Sequence, residues 1–261
     1  MRYHQIVMES PAMDVAASTQ AHQAFQALAR YVNSRPHADY HIDINGDWYF
    51  CFDPTKFNSA DLFGEPDLII MVGEADRSGT VDPVRGAYTN FPEKKLFDKY
   101  RRAIIVRIAQ REEYENVKSS VNTTQFMKVF EHEVIHCLDD VRTQGMVTNT
   151  PTSKQGSATD YYNDPWEFNA YYHEVADSLT GILREIQDVR NHDTSAADII
   201  DLYGFDPDFK SFVKTMGQSD KGTRRFVKEL TAPRRKALLK RLYLLHKAVV
   251  DAARQDELKV A

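Results

Sequence analysis

The segment His132-Glu133-Val134-Ile135-His136 has the residue types and spacing of a metal centre that could carry out hydrolysis. On a helix, residues four apart lie on one face, one turn from each other, so both imidazoles can reach a single ion. Zinc is the expected ion because it accepts neutral imidazole and carboxylate ligands in tetrahedral geometry. Glu133 stands beside the pair, where its carboxylate can take a proton from a water molecule that the ion activates. The motif therefore predicts a zinc centre with Glu133 as the general base.

Two histidines are an incomplete ligand set, so a third ligand must come from elsewhere in the chain. A His six residues after the second one, with a Gly at the third, would indicate a metzincin, but Asp139 and Arg142 occupy these positions and exclude that class. The best candidate is Glu167, in the first turn of a later predicted helix, and its rivals are Asp164, His173 and Glu174. Glu167 also has a purely structural alternative, because it stands three residues after Asp164 and could close a capping box.

The elements around the motif follow from hydrophobic periodicity. A helical spacing of apolar residues covers 20–32, and short β-branched or aromatic runs predict strands at 41–44, 48–52, 68–72 and 103–108. Asn45-Gly46 predicts the turn of a hairpin between the first two strands. Residues 86–89 form a weaker strand pattern between the last two runs.

The second half of the chain is predicted to be helical. The motif helix should run from Asn122, as N-cap, to about Val141, and a polar loop should cover 148–160. The next helix should begin at Asp164-Pro165 and run towards Val189, because Asp is a good cap and Pro fits the first helical position. Further helices are expected at 196–202 and 233–254. These patterns predict an α+β fold with a small mixed sheet, the motif helix and a mostly helical C-terminal half.

The residues around the motif resemble those of a known family. The run His132 to Asp140, with its paired Asp-Asp, and the run Tyr161 to Ala170 are similar to zincin metallopeptidases with a downstream Glu ligand, such as the anthrax lethal factor catalytic domain and the Pro-Pro endopeptidase group. The resemblance implies a zincin-like fold, zinc ligands at His132, His136 and Glu167, and Glu133 as general base. It also implies a tyrosine that stabilises the oxyanion. The tyrosine offset is shifted and the loop between the helices is shorter than in the family, so Tyr161 and Tyr162 are both candidates.

Several other residues have a possible role beside the metal. Asp139 or Asp140 could accept a hydrogen bond from a ligand imidazole and fix its tautomer, or they could form a solvated acidic turn. A phenol at Tyr161 or Tyr162 can donate to a developing oxyanion, although tyrosine is also a common packing residue. Gly86, Ala87 and Tyr88 could form an edge strand on which an extended peptide substrate lies by strand addition.

Charge is distributed unevenly over the 261 residues. The whole chain has a net charge of -5, yet residues 221–247 hold ten Lys and Arg against a single acid, Glu229. Within and beyond it, the apolar positions from Pro233 onward predict an amphipathic last helix that packs on the domain and exposes a basic face. The alternatives are an acidic protein partner, a nucleic acid or a membrane surface that binds this face.

Composition also indicates the cellular compartment in which the protein is expected to act. Two cysteines, Cys51 and Cys137, are too few for a disulfide framework, and no signal-like N-terminus or long apolar run is present. The expectation is a cytoplasmic zinc metalloendopeptidase acting on a peptide or protein, with a metallopeptidase domain over 1–190 and a helical region over 191–261. The alternative is a zincin-like protein that binds or builds a structure without catalysing a reaction.

Overall fold

The structure is a computed structural model that describes residues 10–44, 47–57, 67–74, 84–90, 99–108, 113–143, 157–189, 195–216 and 221–260. The chain divides into two compact units. Residues 20–150 form one, called here the sheet unit, and residues 1–19 with 151–261 form the other, called the helical unit. The described residues confirm a mixed α and β composition with one small sheet.

The sheet unit contains a five-stranded mixed sheet in the order β1-β2-β3-β5-β4. Its strands are β1 (Tyr40–Ile44), β2 (Asp47–Phe52), β3 (Leu68–Glu74), β4 (Val84–Asn90) and β5 (Arg102–Ile108). The pairs β1–β2, β2–β3 and β4–β5 are antiparallel, whereas β3 and β5 are parallel. The sheet therefore ends in β4, an antiparallel edge strand.

Three helices belong to the same unit as the sheet. The helices of the unit are the later part of α1 (Pro11–Ser34), α2 (Tyr114–Val121) and α3 (Thr124–Arg142). Helix α3 packs against β4 and β5, and its apolar side chains Phe126, Phe130 and Val134 are fully buried. The central strands β3 and β5 are rich in apolar, β-branched residues, and most of these side chains are buried in this unit. This is the composition expected of strands that lie inside a sheet. The motif helix is thus held against the edge of the sheet.

The helical unit has its own core. Besides the first residues of α1, its helices are α4 (Ala158–Asn163), α5 (Pro165–Val189), α6 (Ala196–Leu202), α7 (Phe209–Met216), α8 (Lys221–Glu229) and α9 (Ala232–Val260). Apolar side chains of α5, α8 and α9 meet in one buried cluster that includes Tyr172, Phe226 and Leu242. The amphipathic pattern predicted for the last helix is confirmed, since Leu238, Leu242, Leu245 and Val249 are buried.

A buried ion pair crosses the core of the helical unit. The Arg241 guanidinium donates to Asp14 Oδ1 over 2.7 Å, and both side chains are almost fully buried. The Tyr172 hydroxyl donates to Asp14 Oδ2 over 2.7 Å, and Arg241 also donates to Asn169 Oδ1 over 2.8 Å. The Arg241 guanidinium carbon lies 3.5 Å from the centroid of the Tyr172 ring. This network links α1, α5 and α9 within the unit.

Most predicted elements are confirmed. The strands at 41–44, 48–52, 68–72 and 103–108 and the weaker one at 86–89 are present, and β1 and β2 pair as a hairpin. The predicted turn residues Asn45 and Gly46 lie outside the described residues. The helices that begin at Pro165 and Ala196 end at Val189 and Leu202, as expected.

Four expectations about helices are wrong. Asn122 is the C-cap of α2, and Thr123 caps α3 because its side chain accepts a hydrogen bond from the Phe126 N–H. The first helix begins at Pro11 rather than near residue 20, and α9 extends past 254 to Val260. Part of the expected loop at 148–160 is the start of α4, which Ser157 caps through a capping box with Asp160. Helices α2, α7 and α8 were not expected.

Among the described residues, every helix is too short or too polar to cross a membrane.

Candidate metal centre

The two histidines of the motif face each other on α3. Their Nε2 atoms are 3.1 Å apart and their ring centroids 4.8 Å apart. Two nitrogens bound to one zinc ion at about 2.0–2.1 Å in tetrahedral geometry stand roughly 3.3 Å apart, so the pair fits a shared ion. His132 is only 7% exposed and His136 is half-buried, so the two histidines are not a solvated pair on an open helix face. The pair is therefore suited to binding one metal ion.

Glu133 lies directly against the edge strand. Its side chain is buried, and a Cβ atom built at Gly86 of β4 would stand 2.4 Å from Glu133 Oε1 and 2.6 Å from Cγ. Such distances are far below van der Waals contact, so only glycine leaves room for the carboxylate there. Gly86 thus fixes where the predicted general base can lie, a role that differs from the peptide contact predicted for it.

We expect Gly86→Ala to lower kcat because the new methyl group must displace the Glu133 carboxylate. A displacement of about 1 Å in a catalytic group can cost on the order of 100-fold in rate. Peptide hydrolysis and bound zinc would be measured together, and zinc should stay bound. Gly181→Ala is the matched control, because a Cβ at Gly181 meets only Arg184 Nη2 at 3.8 Å. Full activity of Gly86→Ala would show that Glu133 does not depend on this contact.

Asp140 ties α3 to the sheet. Its Oδ2 accepts hydrogen bonds from the Tyr88 hydroxyl over 2.7 Å and from Arg102 Nε over 3.1 Å. Burial, the neighbouring Cys137 thiol and the bond to Asp140 all raise the pKa of Tyr88, so its hydroxyl remains a donor. Asp140 is 2% exposed and Asp139 is 6% exposed, which excludes a solvated acidic turn. Asp140 thus anchors the motif helix to β4 and β5.

The backbone of β4 remains available at the edge of the sheet. Gly86 and Ala87 are exposed, whereas the Tyr88 hydroxyl points inward to Asp140. Among the described residues, β4 pairs only with β5, with Gly86 opposite Val106. The peptide contact predicted for Gly86, Ala87 and Tyr88 remains a prediction, and the exposed backbone at the first two positions is compatible with it.

Glu167 lies in the first turn of helix α5 in the helical unit, and the capping-box alternative for it remains a hypothesis. Asp164 does cap this helix, since its Oδ1 accepts from the Trp166 N–H over 2.9 Å. The Asp164 N–H, however, donates to the backbone oxygens of Asp160 and Tyr161 at the end of α4. Because that N–H is already bonded, the Glu167 carboxylate is not needed there.

The rival ligands have other partners within the helical unit. Asp164 is engaged as the cap of α5, and His173 Nδ1 lies 3.0 Å from the Ser18 hydroxyl. Glu174 is half-buried farther along the same helix. Glu167 stays the predicted third ligand, and its role as a ligand remains a prediction.

Three tyrosines cluster beside Glu167. The ring centroids of Tyr161 and Tyr162 are 5.2 Å apart, those of Tyr162 and Tyr171 are 4.9 Å apart, and Phe226 packs against the last two. The Glu167 and Tyr171 side chains both act on the Tyr161 hydroxyl. Burial, followed by the Glu167 charge, raises the pKa of Tyr161, so the phenol stays protonated. The Glu167 charge raises the pKa of both candidates, Tyr161 and Tyr162.

Sequence reasoning missed two residues of these networks. Tyr171 stands four residues after Glu167, so the helical spacing already places both on one face of α5 and could have indicated it. Arg102 reaches Asp140 from 38 positions away, and no local pattern connects them. Comparison with protein families, with curated proteins and with solved structures finds no match to this chain.

Proposed function

We propose that the chain is a zinc-dependent peptidase of the zincin kind. The observation that carries the proposal is the pair of Nε2 atoms of His132 and His136, 3.1 Å apart on a helix whose Glu133 lies against an exposed edge strand. This arrangement joins a ligand pair, a carboxylate and a strand that can pair with an extended substrate. A structural histidine pair alone would need neither a buried carboxylate next to it nor a glycine opposite.

Each residue then has a defined task. His132 and His136 would hold the zinc ion, with Glu167 as the proposed third ligand. When bound, zinc would supply Lewis-acid polarisation of the scissile carbonyl and of a water molecule. With the ion bound, Glu133 would take a proton from that water and would later transfer it to the leaving amine. Tyr161, protonated and half-buried, would donate a hydrogen bond to the oxyanion.

The proposal is tested by the zinc content of the purified chain and of Glu167→Ala. We expect about one zinc per wild-type chain and at least tenfold weaker zinc binding in the variant, since even residues behind the ligands change metal affinity by 10–100-fold. The variant should also lose cleavage of a peptide library. Glu185→Ala, on the same helix, is the control that should keep its zinc.

Two results would contradict the proposal. Full zinc occupancy in Glu167→Ala would remove Glu167 from the ligand set. Stoichiometric zinc in the wild-type chain without cleavage of any peptide in the library would favour the non-catalytic binding protein over the peptidase.

A further inference from the structure

One face of helix α8 presents a row of exposed cations. Lys221, Arg224, Arg225 and Lys228 stand at positions i, i+3, i+4 and i+7, and all four are exposed. The opposite side of the helix carries Phe226, which is fully buried in the core of the helical unit. At 1.5 Å per residue, the row extends for about 10 Å along the helix. These four residues are called the basic surface below.

Carboxylates do not neutralise the basic surface. None of its four cations forms an ion pair within the part of the chain that the structure describes. The only acid of the helix, Glu229, accepts a hydrogen bond from the Thr159 hydroxyl over 2.7 Å. Like charges placed three and four residues apart repel each other and slightly destabilise a helix. The basic surface is therefore a local concentration of positive charge on a chain whose net charge is -5.

We propose that the basic surface binds the phosphate backbone of double-stranded nucleic acid, independently of the metal centre. Guanidinium groups bind phosphate oxygens in a bidentate manner, and the duplex is a dense line of phosphates. Neighbouring cations on the helix are about 5–6 Å apart at Cβ, which lets each long side chain reach a separate phosphate. The partner is thus recognised by its charge rather than by its base sequence.

The structure favours a duplex over two other anionic partners. A helix that lies in a membrane surface needs exposed apolar residues to insert, but Phe226 and Leu230 are buried in the core. Recognition of single strands usually relies on exposed aromatic rings, and α8 has none because its single aromatic residue is Phe226. Four phosphate contacts without base contacts predict weak binding, with a Kd of about 10⁻⁴–10⁻⁶ M.

Fluorescence anisotropy of the full chain with two labelled 20-base-pair duplexes of unrelated sequence tests the proposal. Both duplexes should bind with similar affinity, and the logarithm of the association constant should fall with the logarithm of salt concentration at a slope of about -3 to -4. The triple variant Arg224→Ala, Arg225→Ala, Lys228→Ala should bind at least tenfold more weakly, with a slope closer to zero by about 3. Circular dichroism would confirm that it folds.

A charge-matched control separates the basic surface from net charge. The triple variant Arg30→Ala, Arg35→Ala, Arg101→Ala removes three exposed cations of the sheet unit and should bind the duplexes like the wild-type chain. Equal losses in both triple variants would overturn the proposal. Failure of the wild-type chain to bind duplex in low salt would overturn it without any variant, and so would binding to anionic phosphatidylserine vesicles alone.

Discussion

Replacing Glu133 by Gln should leave zinc bound while lowering peptide hydrolysis by about 10²–10⁴-fold, the usual contribution of a general base. Gln has nearly the same shape as Glu, so it fits the space opposite Gly86, but its amide cannot accept a proton from water at neutral pH. Zinc content and single-turnover cleavage of a peptide pool would be measured on the same sample. The proposed ligands His132 and His136 are unchanged, so the variant should bind zinc like the wild-type chain.

A second carboxylate serves as the control for this substitution. Glu185→Gln removes the same charge from helix α5 and should keep full activity. If Glu133→Gln retained normal hydrolysis, Glu133 would not be the base and the proposed chemistry would be wrong. Loss of zinc in Glu133→Gln would instead mean that Glu133 is itself needed for metal binding.

The largest loss of stability is expected from Asp14→Ala in the helical unit. The substitution leaves the buried Arg241 guanidinium without its carboxylate and removes the acceptor of the Tyr172 hydroxyl. Breaking a buried ion pair by removing one partner typically costs about 3–5 kcal/mol of the free energy of unfolding. Urea unfolding, followed by circular dichroism, would measure this as a lower midpoint.

An exposed ion pair on helix α9, which also carries Arg241, provides the comparison. Lys247 Nζ and Asp251 Oδ2 are 2.8 Å apart at the surface of α9, and Asp251→Ala should shift the urea midpoint far less than Asp14→Ala, because exposed ion pairs contribute little to stability. The double variant Asp14→Leu, Arg241→Met should recover much of the loss, since apolar replacement of a buried pair is often neutral. Equal effects of Asp14→Ala and Asp251→Ala would show that burial does not determine the cost.

The sequence predicted those helices and strands that are specified by a short run of neighbouring residues, such as a β-branched run or a helix cap. The strands around Ile70 and Ile105 were found from β-branched runs, and helix α5 from Asp164-Pro165. The start of α1 was missed although Ser10-Pro11 is a cap followed by a proline at the first helical position. The cap of α3 was placed one residue early because Asn122 and Thr123 are both good caps, and only the end of α2 decides between them.

The spacing within the motif correctly predicted how its two histidines lie relative to each other. It did not predict the contacts that other elements make with the motif helix. Helical spacing alone places His132 and His136 on one face, as the structure has them. No spacing rule could connect Gly86 with Glu133 or Tyr88 with Asp140, because β4 and α3 are separated by β5 and α2 in the chain. Such contacts depend on the order of strands in the sheet. No local pattern indicated that the Asp164 N–H is bound by the last carbonyls of α4, a helix that the sequence did not predict.

The order of strands has a consequence for how the sheet unit folds. Strand β4 precedes β5 in the chain, yet β5 lies between β3 and β4. Because β4 pairs with β5 and not with β3, it can join the sheet only through β5, whose parallel pairing with β3 spans more than 30 residues and is slow to form. Gly86, which makes room for Glu133, therefore lies on β4, a strand that joins the sheet late in folding. During refolding, recovery of hydrolysis should lag behind recovery of secondary structure.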